Sequence, residues 1–347
     1  MLLSRTVSRL FAKDIAIDLG TSNTLLFESL NGIVASEASV ISIDRRLHGK
    51  NPVIEVGKQA KNMLGKVAGP IIAVQPIQYG VIKDFMAVSY MVSALINRYC
   101  MRGIFSKPRI VFTVASDFLE TEKESIRESI FALGIAAEVF FLEKSLASAL
   151  GADMIVTAPM GNMIIDVGGG KTEVAIVSLG GIVYSVSLPI GGMYFDDEIT
   201  RMIRSKYSLM IGCQTAEEIK KHFAAAIFSK KNSVNIPVKG RDQSSGNPRM
   251  AYVTSYDICQ SLEMLISRLA EEVRFCLETI SAELVSDIAK HGIFLTGGGS
   301  LIRYLDKYIE RVVGVSVIRV KDPMCGTILG AGKIVENLEE LQEFLCL

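Results

Sequence analysis

Ile15-Ala16-Ile17-Asp18-Leu19-Gly20-Thr21-Ser22-Asn23-Thr24-Leu25-Leu26-Phe27 decides the fold. An apolar strand runs to Asp18, Gly20-Thr21-Ser22-Asn23 turns the chain, and Thr24-Leu25-Leu26-Phe27 returns as a second strand. The plan recurs downstream: Met163-Ile164-Ile165 leads to Asp166, Gly168-Gly169-Gly170-Lys171 turns, and Thr172-Glu173-Val174-Ala175-Ile176-Val177 returns. The two aspartates are 148 residues apart. That is about one domain length, so each half opens with the same hairpin and the chain reads as an internal duplication. A third turn, Gly297-Gly298-Gly299, follows the buried strand Gly292-Ile293-Phe294-Leu295-Thr296. Ser300 then reads as the N-cap of a helix through Leu301, Leu305 and Ile309.

These residue types suit phosphate. Glycines let backbone N–H groups approach phosphate oxygens, and small hydroxyl and amide side chains add donors. A carboxylate at each strand end, Asp18 and Asp166, holds Mg²⁺ through water. A glycine turn opening a helix seats a phosphate or sugar. Either hairpin alone is an ordinary glycine turn; three such elements in this order are far more specific.

Composition narrows the classes. The 347 residues are 49% hydrophobic, enough for two domains sharing a cleft, and 37 basic residues balance 37 acidic ones. This balance offers no nucleic-acid groove. Six cysteines are scattered without a Cys-x-x-Cys pair among only three histidines, the pattern of reduced thiols in a cytoplasm rather than of a zinc site or disulfide framework. The mean hydropathy of +0.35 calls for a search for spans. The longest uncharged run, residues 174–195, holds Gly180-Gly181, Pro189 and Gly191-Gly192 and reads as strand, turn and strand.

At 100° per residue, Leu3, Thr6, Val7, Leu10 and Phe11 share one arc, opposite Arg5, Ser8, Arg9 and Ala12. This is a short amphipathic helix with a basic face, without the long apolar core of a signal peptide. It suits a membrane interface with the arginines near anionic headgroups; a helix packed on its own domain and an organelle transit peptide fit the same pattern. One copy binds weakly, and many copies held together bind firmly.

Together the three turns resemble the actin-like ATPase superfamily, an α/β fold in which two duplicated domains, each with a smaller inserted subdomain, close over a nucleotide cleft. The chain resembles the MreB family over essentially its whole length. The resemblance is carried by Asp18-Leu19-Gly20-Thr21-Ser22-Asn23-Thr24, Gly80-Val81-Ile82-Lys83-Asp84-Phe85, Thr215-Ala216-Glu217-Glu218-Ile219-Lys220, Lys239-Gly240-Arg241-Asp242 and the strand before Gly297-Gly298-Gly299. It implies residues 1–13 as a membrane-binding helix and 14–150 as a first domain with an insertion near 41–74. Residues 151–322 would form a second domain with an insertion near 191–253, and 323–347 would return to the first. It also implies ATP and Mg²⁺ as cofactors, with Glu217, Glu218, Ile219 and Lys220 lining the adenosine pocket and Gly297, Gly298, Gly299, Ser300 and Leu301 on its other wall. Read alone, residues 215–223 are simply a helix with a charged face.

The implied function is a polymerising bacterial cytoskeletal protein on the inner face of the cytoplasmic membrane, organising cell shape or cell-wall elongation. Its partners would be further copies in paired protofilaments, an anionic membrane surface, morphogenesis membrane proteins and other paralogues, with no nucleic acid. An apolar pair before a Lys-Pro step, Ile104-Phe105, would join the N-terminal helix in one membrane face; a loop folded back on the core is the other reading. A metabolic phosphotransferase on the same fold would need a general base in the cleft, and no motif supplies one. A chaperone would need a substrate domain after the ATPase.

Several residues depart from the family pattern. Before the second domain the family reads Glu-Glu-Pro-Met-Ala-Ala-Ala-Ile-Gly, its second glutamate associated with placing the hydrolytic water. Here Glu143-Lys144-Ser145-Leu146-Ala147-Ser148-Ala149-Leu150-Gly151 puts Lys144 at that position. An ammonium cannot accept a hydrogen bond from an attacking water. Lys171 replaces the first threonine of the family's Gly-Gly-Gly-Thr-Thr-Glu. Two lysines near a terminal phosphate favour the triphosphate ground state, so binding survives while turnover falls. Glu143 could substitute through a local shift, and Lys144 could instead stabilise transition-state charge. Gln75, Tyr79, Ala115 and Met193 are smaller departures that fit a divergent paralogue.

Overall fold

The computed structural model describes residues 13–47, 52–100 and 107–346. Leu3, Val7, Leu10, Phe11, Ile104 and Phe105, the residues read as membrane-facing, lie outside the described residues.

Two sheets repeat one topology. The first runs Leu345–Cys346, Glu138–Glu143, Arg109–Val114, Ile15–Leu19, Asn23–Glu28, Gly32–Ala38; the second runs Val317–Arg319, Ile293–Thr296, Asn162–Val167, Thr172–Ser178, Gly181–Leu188. In each, an antiparallel hairpin is extended by a third antiparallel strand on one side and by two parallel strands on the other, and the first sheet adds Leu345–Cys346 antiparallel at its edge. The duplication extends to single residues. Asp18 lies opposite Leu25 and beside Thr113, and Asp166 lies opposite Glu173 and beside Thr296. Ile15, Ala16, Ile17 and Met163, Ile164, Ile165 are buried, as expected of strands covered on both faces.

The uncharged run folds as the strands Thr172–Ser178 and Gly181–Leu188 around Leu179-Gly180, both at positive φ, the geometry of a two-residue hairpin turn. Among the described residues no helix is long and apolar enough to cross a membrane. Cys213, Cys259, Cys276 and Cys325 are thiols rather than disulfides.

A shared apolar layer lies between the sheets, with Ala16, Leu25 and Val111 from one and Ile164, Ala175 and Val177 from the other packed with Leu146, Ile328 and Ala331. Helices Lys144–Gly151 and Gly326–Glu336 cross in this layer backbone to backbone. A Cβ on Gly151 would run into the Gly326 carbonyl, and one on Gly330 into that of Ala147. Gly332 packs the second of these helices on Phe27 of the first hairpin, so the C-terminal segment returns to the first sheet.

Two small sheets flank the cleft. Strands Val53–Val56, Ile41–Asp44 and Ile71–Val74, with helix Lys58–Met63, form one; Leu209–Met210, Asn235–Asp242 and Pro248–Thr254, beside helices Gly192–Tyr207 and Cys213–Phe223, form the other. Two helices, Ser255–Thr279 and Ala282–His291, follow the second small sheet. The break has a local cause: Ser281 caps the second helix by accepting the Leu284 N–H at 3.4 Å. The first helix buries Leu262, Ile266, Leu269 and Val273, as its periodicity predicts.

Candidate functional site

The two hairpin turns meet tip to tip. A Cβ on Gly169 would strike the Ser22 side chain, and one on Gly170 would strike Thr21 and the Gly80 backbone, whose N–H donates to Thr21 Oγ1 at 3.0 Å. Glycine is required here by close approach. Below the turns opens a cavity of about 420 Å³, lined by Asp18, Gly20, Thr21, Ser22 and Asn23 from the first hairpin and Asp166, Gly168, Gly169, Gly170 and Lys171 from the second. Lys144, Glu173, Glu217, Lys220, Gly297, Gly298, Gly299 and Leu301 complete much of the wall.

The floor is a buried charge cluster. Asp18 accepts from Thr113 Oγ1 at 2.6 Å, and burial pushes its carboxyl above the ordinary range. Asp166 Oδ2 accepts from Ser148 and Thr327 hydroxyls, each at 3.2 Å, and lies 3.4 Å from Lys144 Nζ. Burial alone would lower the Lys144 ammonium, but Asp166, Asp18 and Glu173 outweigh it and hold it above its usual value. Glu173 accepts from Ser116 N–H at 3.1 Å and Ser145 Oγ at 2.9 Å, and burial pushes it up to about 7. Sequence reasoning does not single out Glu173, although a lone carboxylate in the otherwise uncharged strand Thr172–Ser178, opposite Asp166, is its signal.

Lys171 lies along Gly80 and forms an ion pair with Asp117 of the opposite half. The two lysines are therefore each held by an acid rather than left as free ammoniums around a phosphate. Glu143 is the N-cap residue of helix Lys144–Gly151, without a side-chain capping bond, and does not line the cavity. Burial raises its carboxyl, with Lys123 opposing, and its position offers no substitute for the missing glutamate.

The upper rim corrects the helical reading. On helix Cys213–Phe223 the cavity-lining residues are Glu217, Lys220, Lys221 and Ala224 just beyond its end, the i, i+3, i+4, i+7 stripe of one face. Glu218 is exposed on another face, pairing with Lys221, and Ile219 is buried in the core. Lys220 Nζ donates to Gly192 O and Asp196 Oδ2, each at 2.8 Å, and burial pushes Asp196 up to about 6. Lys61 of the first insertion reaches Glu217 at 2.6 Å, and Tyr79 Oη donates to Asp197 at 2.9 Å, so both lips touch.

The third turn differs from its reading as well. Gly298–Leu301 is a single 3₁₀ turn, and the helix Leu305–Val313 starts only after Tyr304 at φ 62°. Ser300 does not cap it: its hydroxyl donates back to Gly297 O at 2.6 Å and is buried behind the wall. Gly297, at φ 81°, lies against Asp166 Oδ1, whereas a Cβ on Gly298 would meet nothing within 4 Å.

A nucleotide fits this cavity on the structure's own terms: glycine backbones line its phosphate end, and Gly298 opens its far wall. Mg²⁺ fits less fully. Asp18 accepts from Thr113 alone among the described residues, but Asp166 Oδ2 is already shared by two hydroxyls and an ammonium.

Comparison with known proteins places this geometry. The MreB/Mbl protein family model matches residues 12–343. Cell shape-determining protein Mbl of Bacillus subtilis is 36% identical over 332 residues, covering 96% of this chain and 98% of that protein. Cell shape-determining protein MreB of Escherichia coli is 38% identical over 332 residues, 95% of each. The crystal structure of MreB5 of Spiroplasma citri bound to AMPPNP matches with a TM-score of 0.87 and 33% identity, over 96% of this chain and 98% of that one; the same protein is also known bound to ADP. A MamK double helical filament structure shares the fold, with a TM-score of 0.76 at 21% identity. The duplicated sheets, the facing glycine turns and these likenesses agree, and the chain belongs to the MreB/Mbl family of actin-like proteins.

Proposed function

We propose that the chain is an ATP-binding, polymerising actin-like protein that scaffolds cell-shape or cell-wall elongation machinery on the inner face of the cytoplasmic membrane and hydrolyses ATP slowly. One observation carries the nucleotide reading: Asp18 and Asp166 stand at equivalent ends of two duplicated hairpins, facing one cavity. That MreB5 of Spiroplasma citri is known with AMPPNP and with ADP supports it. Polymerisation and the morphogenetic role rest on family membership; membrane attachment rests on the arc of Leu3, Val7, Leu10 and Phe11 and on Ile104-Phe105.

In this reading the N–H groups of Gly20–Asn23 and Gly168–Gly170 bind phosphate, Glu217 and Lys220 flank the adenosine end, and Gly298 leaves it room. Mg²⁺, held through water by Asp18, would supply charge neutralisation at the phosphates. Where the family places a glutamate, Lys144 donates and cannot orient a water. Glu173 is held in place by Ser116 and Ser145, one bond to each of its oxygens. Loss of a general-base group lowers rate by about 10² to 10⁴. Sedimentation and phosphate release, measured on one sample with anionic liposomes and with or without ATP, test the proposal. Pelleting that requires ATP while phosphate release lags is expected; no assembly under any of these conditions refutes the polymer reading.

A further inference from the structure

We propose that Lys144 is a resident cation of this cleft, whose ammonium takes over enough of the charge neutralisation to make nucleotide affinity largely independent of a divalent ion. This rests on the nucleotide reading above and concerns what a side chain of this protein does to the metal requirement.

The argument is one of occupancy and charge. Asp166, Asp18 and Glu173 line the same cavity as Lys144 and hold its ammonium charged. Its Nζ is 3.4 Å from Asp166 Oδ2, the oxygen that also takes the Ser148 and Thr327 hydroxyls. Little of Oδ2 remains to accept from the water shell of an ion. Without a cation, a polyphosphate approaching this floor would meet the acids Asp18, Asp166 and Glu173 in a buried setting that salt screens poorly.

The other lysines lining the cavity are committed elsewhere, Lys171 to Asp117, Lys220 to Asp196, and Lys221 to Glu217 and Glu218. Lys144 alone among them pairs with a hairpin aspartate, Asp166, at 3.4 Å. A cation tethered by the chain remains at the floor when solution Mg²⁺ is withdrawn, so withdrawal removes a smaller share of the positive charge. In a relative with glutamate at this position, the same withdrawal leaves only negative groups there.

Equilibrium titration of the full chain with a fluorescent N-methylanthraniloyl ATP, in excess Mg²⁺ and in excess EDTA, tests this. The coupling between ion and nucleotide is expected to be less than about threefold in wild type and in Lys144→Arg, and at least about tenfold in Lys144→Met. A wild-type loss of tenfold or more in EDTA overturns the proposal, and so does a folded Lys144→Met as indifferent to Mg²⁺ as wild type. Lys144→Met strips three buried acids of their cation, so circular dichroism accompanies it; should it not fold, the wild-type and Lys144→Arg titrations decide. No binding by wild type in either medium refutes the nucleotide reading itself, an outcome distinct from strong Mg²⁺ dependence.

Discussion

Restoring the family residues as Lys144→Glu with Lys171→Thr should raise phosphate release, and the structure sets both the gain and its cost. The gain is the return of an acceptor able to orient water, worth on the order of 10² to 10⁴ in rate. The cost falls on the floor. Lys144 Nζ is 3.4 Å from Asp166, and breaking a buried ion pair costs about 3 to 5 kcal/mol because a charge is left uncompensated. Reversing the charge adds repulsion from Asp18 and Glu173. Lys144→Glu should therefore melt lower without ligand and recover stability with Mg²⁺ and ATP, which supply the missing cation. Lys171→Thr removes only a rim pair with the half-exposed Asp117, a loss of about 1 kcal/mol or less. Since both positions line one cavity, their effects on rate should not simply add, and the double variant should exceed either single change. Single-turnover phosphate release, on protein shown by its melting curve to be folded with ligand, is the assay. If wild type already releases phosphate at a rate the folded double variant does not improve, the two lysines do not limit turnover and the assignment of position 144 is wrong.

Gly298→Val should abolish or weaken nucleotide binding at least about tenfold, since methyl overlap with a ligand costs about 1 to 3 kcal/mol, while the melting temperature stays put because a Cβ there meets no protein atom within 4 Å; an unchanged affinity would remove Gly298 from the site. Stability without nucleotide should fall as pH rises from about 4.5 to about 7, because the folded chain holds the Glu173 proton more tightly than the unfolded chain across that window. Glu173→Gln should remove up to about 3 kcal/mol of this slope, read from urea midpoints at several pH values, and an unaltered slope would refute it. Deleting residues 1–11 should release the protein from anionic liposomes, and Ile104→Ser with Phe105→Ser should weaken binding without blocking assembly. High salt should weaken wild-type binding; full binding by the deletion would contradict the membrane reading.

How much was legible follows from how far apart the partners are in sequence. The hairpins were readable because each is local: apolar alternation, an aspartate at the strand end and a glycine turn fall within a dozen residues, and their recurrence exposed the duplication. Helix Cys213–Phe223 is half readable: the contiguous motif points to Glu217 and Lys220 but equally to Glu218 and Ile219, whereas a helix presents on one face residues three and four apart rather than neighbours. Ser300 failed for a similar reason: a serine after a glycine turn fits an N-cap, and only the left-handed Tyr304 shows that the helix begins later.

The site's electrostatics were the least legible part, and Lys144 shows why. The family resemblance marks Lys144 where a glutamate is expected, but a position on the chain does not say where four methylenes carry a charge. A largely buried ammonium must find anions, and those within reach are Asp166 from the second hairpin, Asp18 from the first and Glu173 on the returning strand, acids drawn from both halves of the duplication. One substitution therefore acts twice. On the proposed reading it removes an acceptor from the place of the attacking water, and it sets a cation 3.4 Å from Asp166, one of the two carboxylates proposed to hold a hydrated metal. The two effects separate by experiment, since phosphate release reports the first and the Mg²⁺ dependence of affinity reports the second. Lys144→Met, which restores neither acceptor nor cation, should leave hydrolysis slow while making binding depend on the ion.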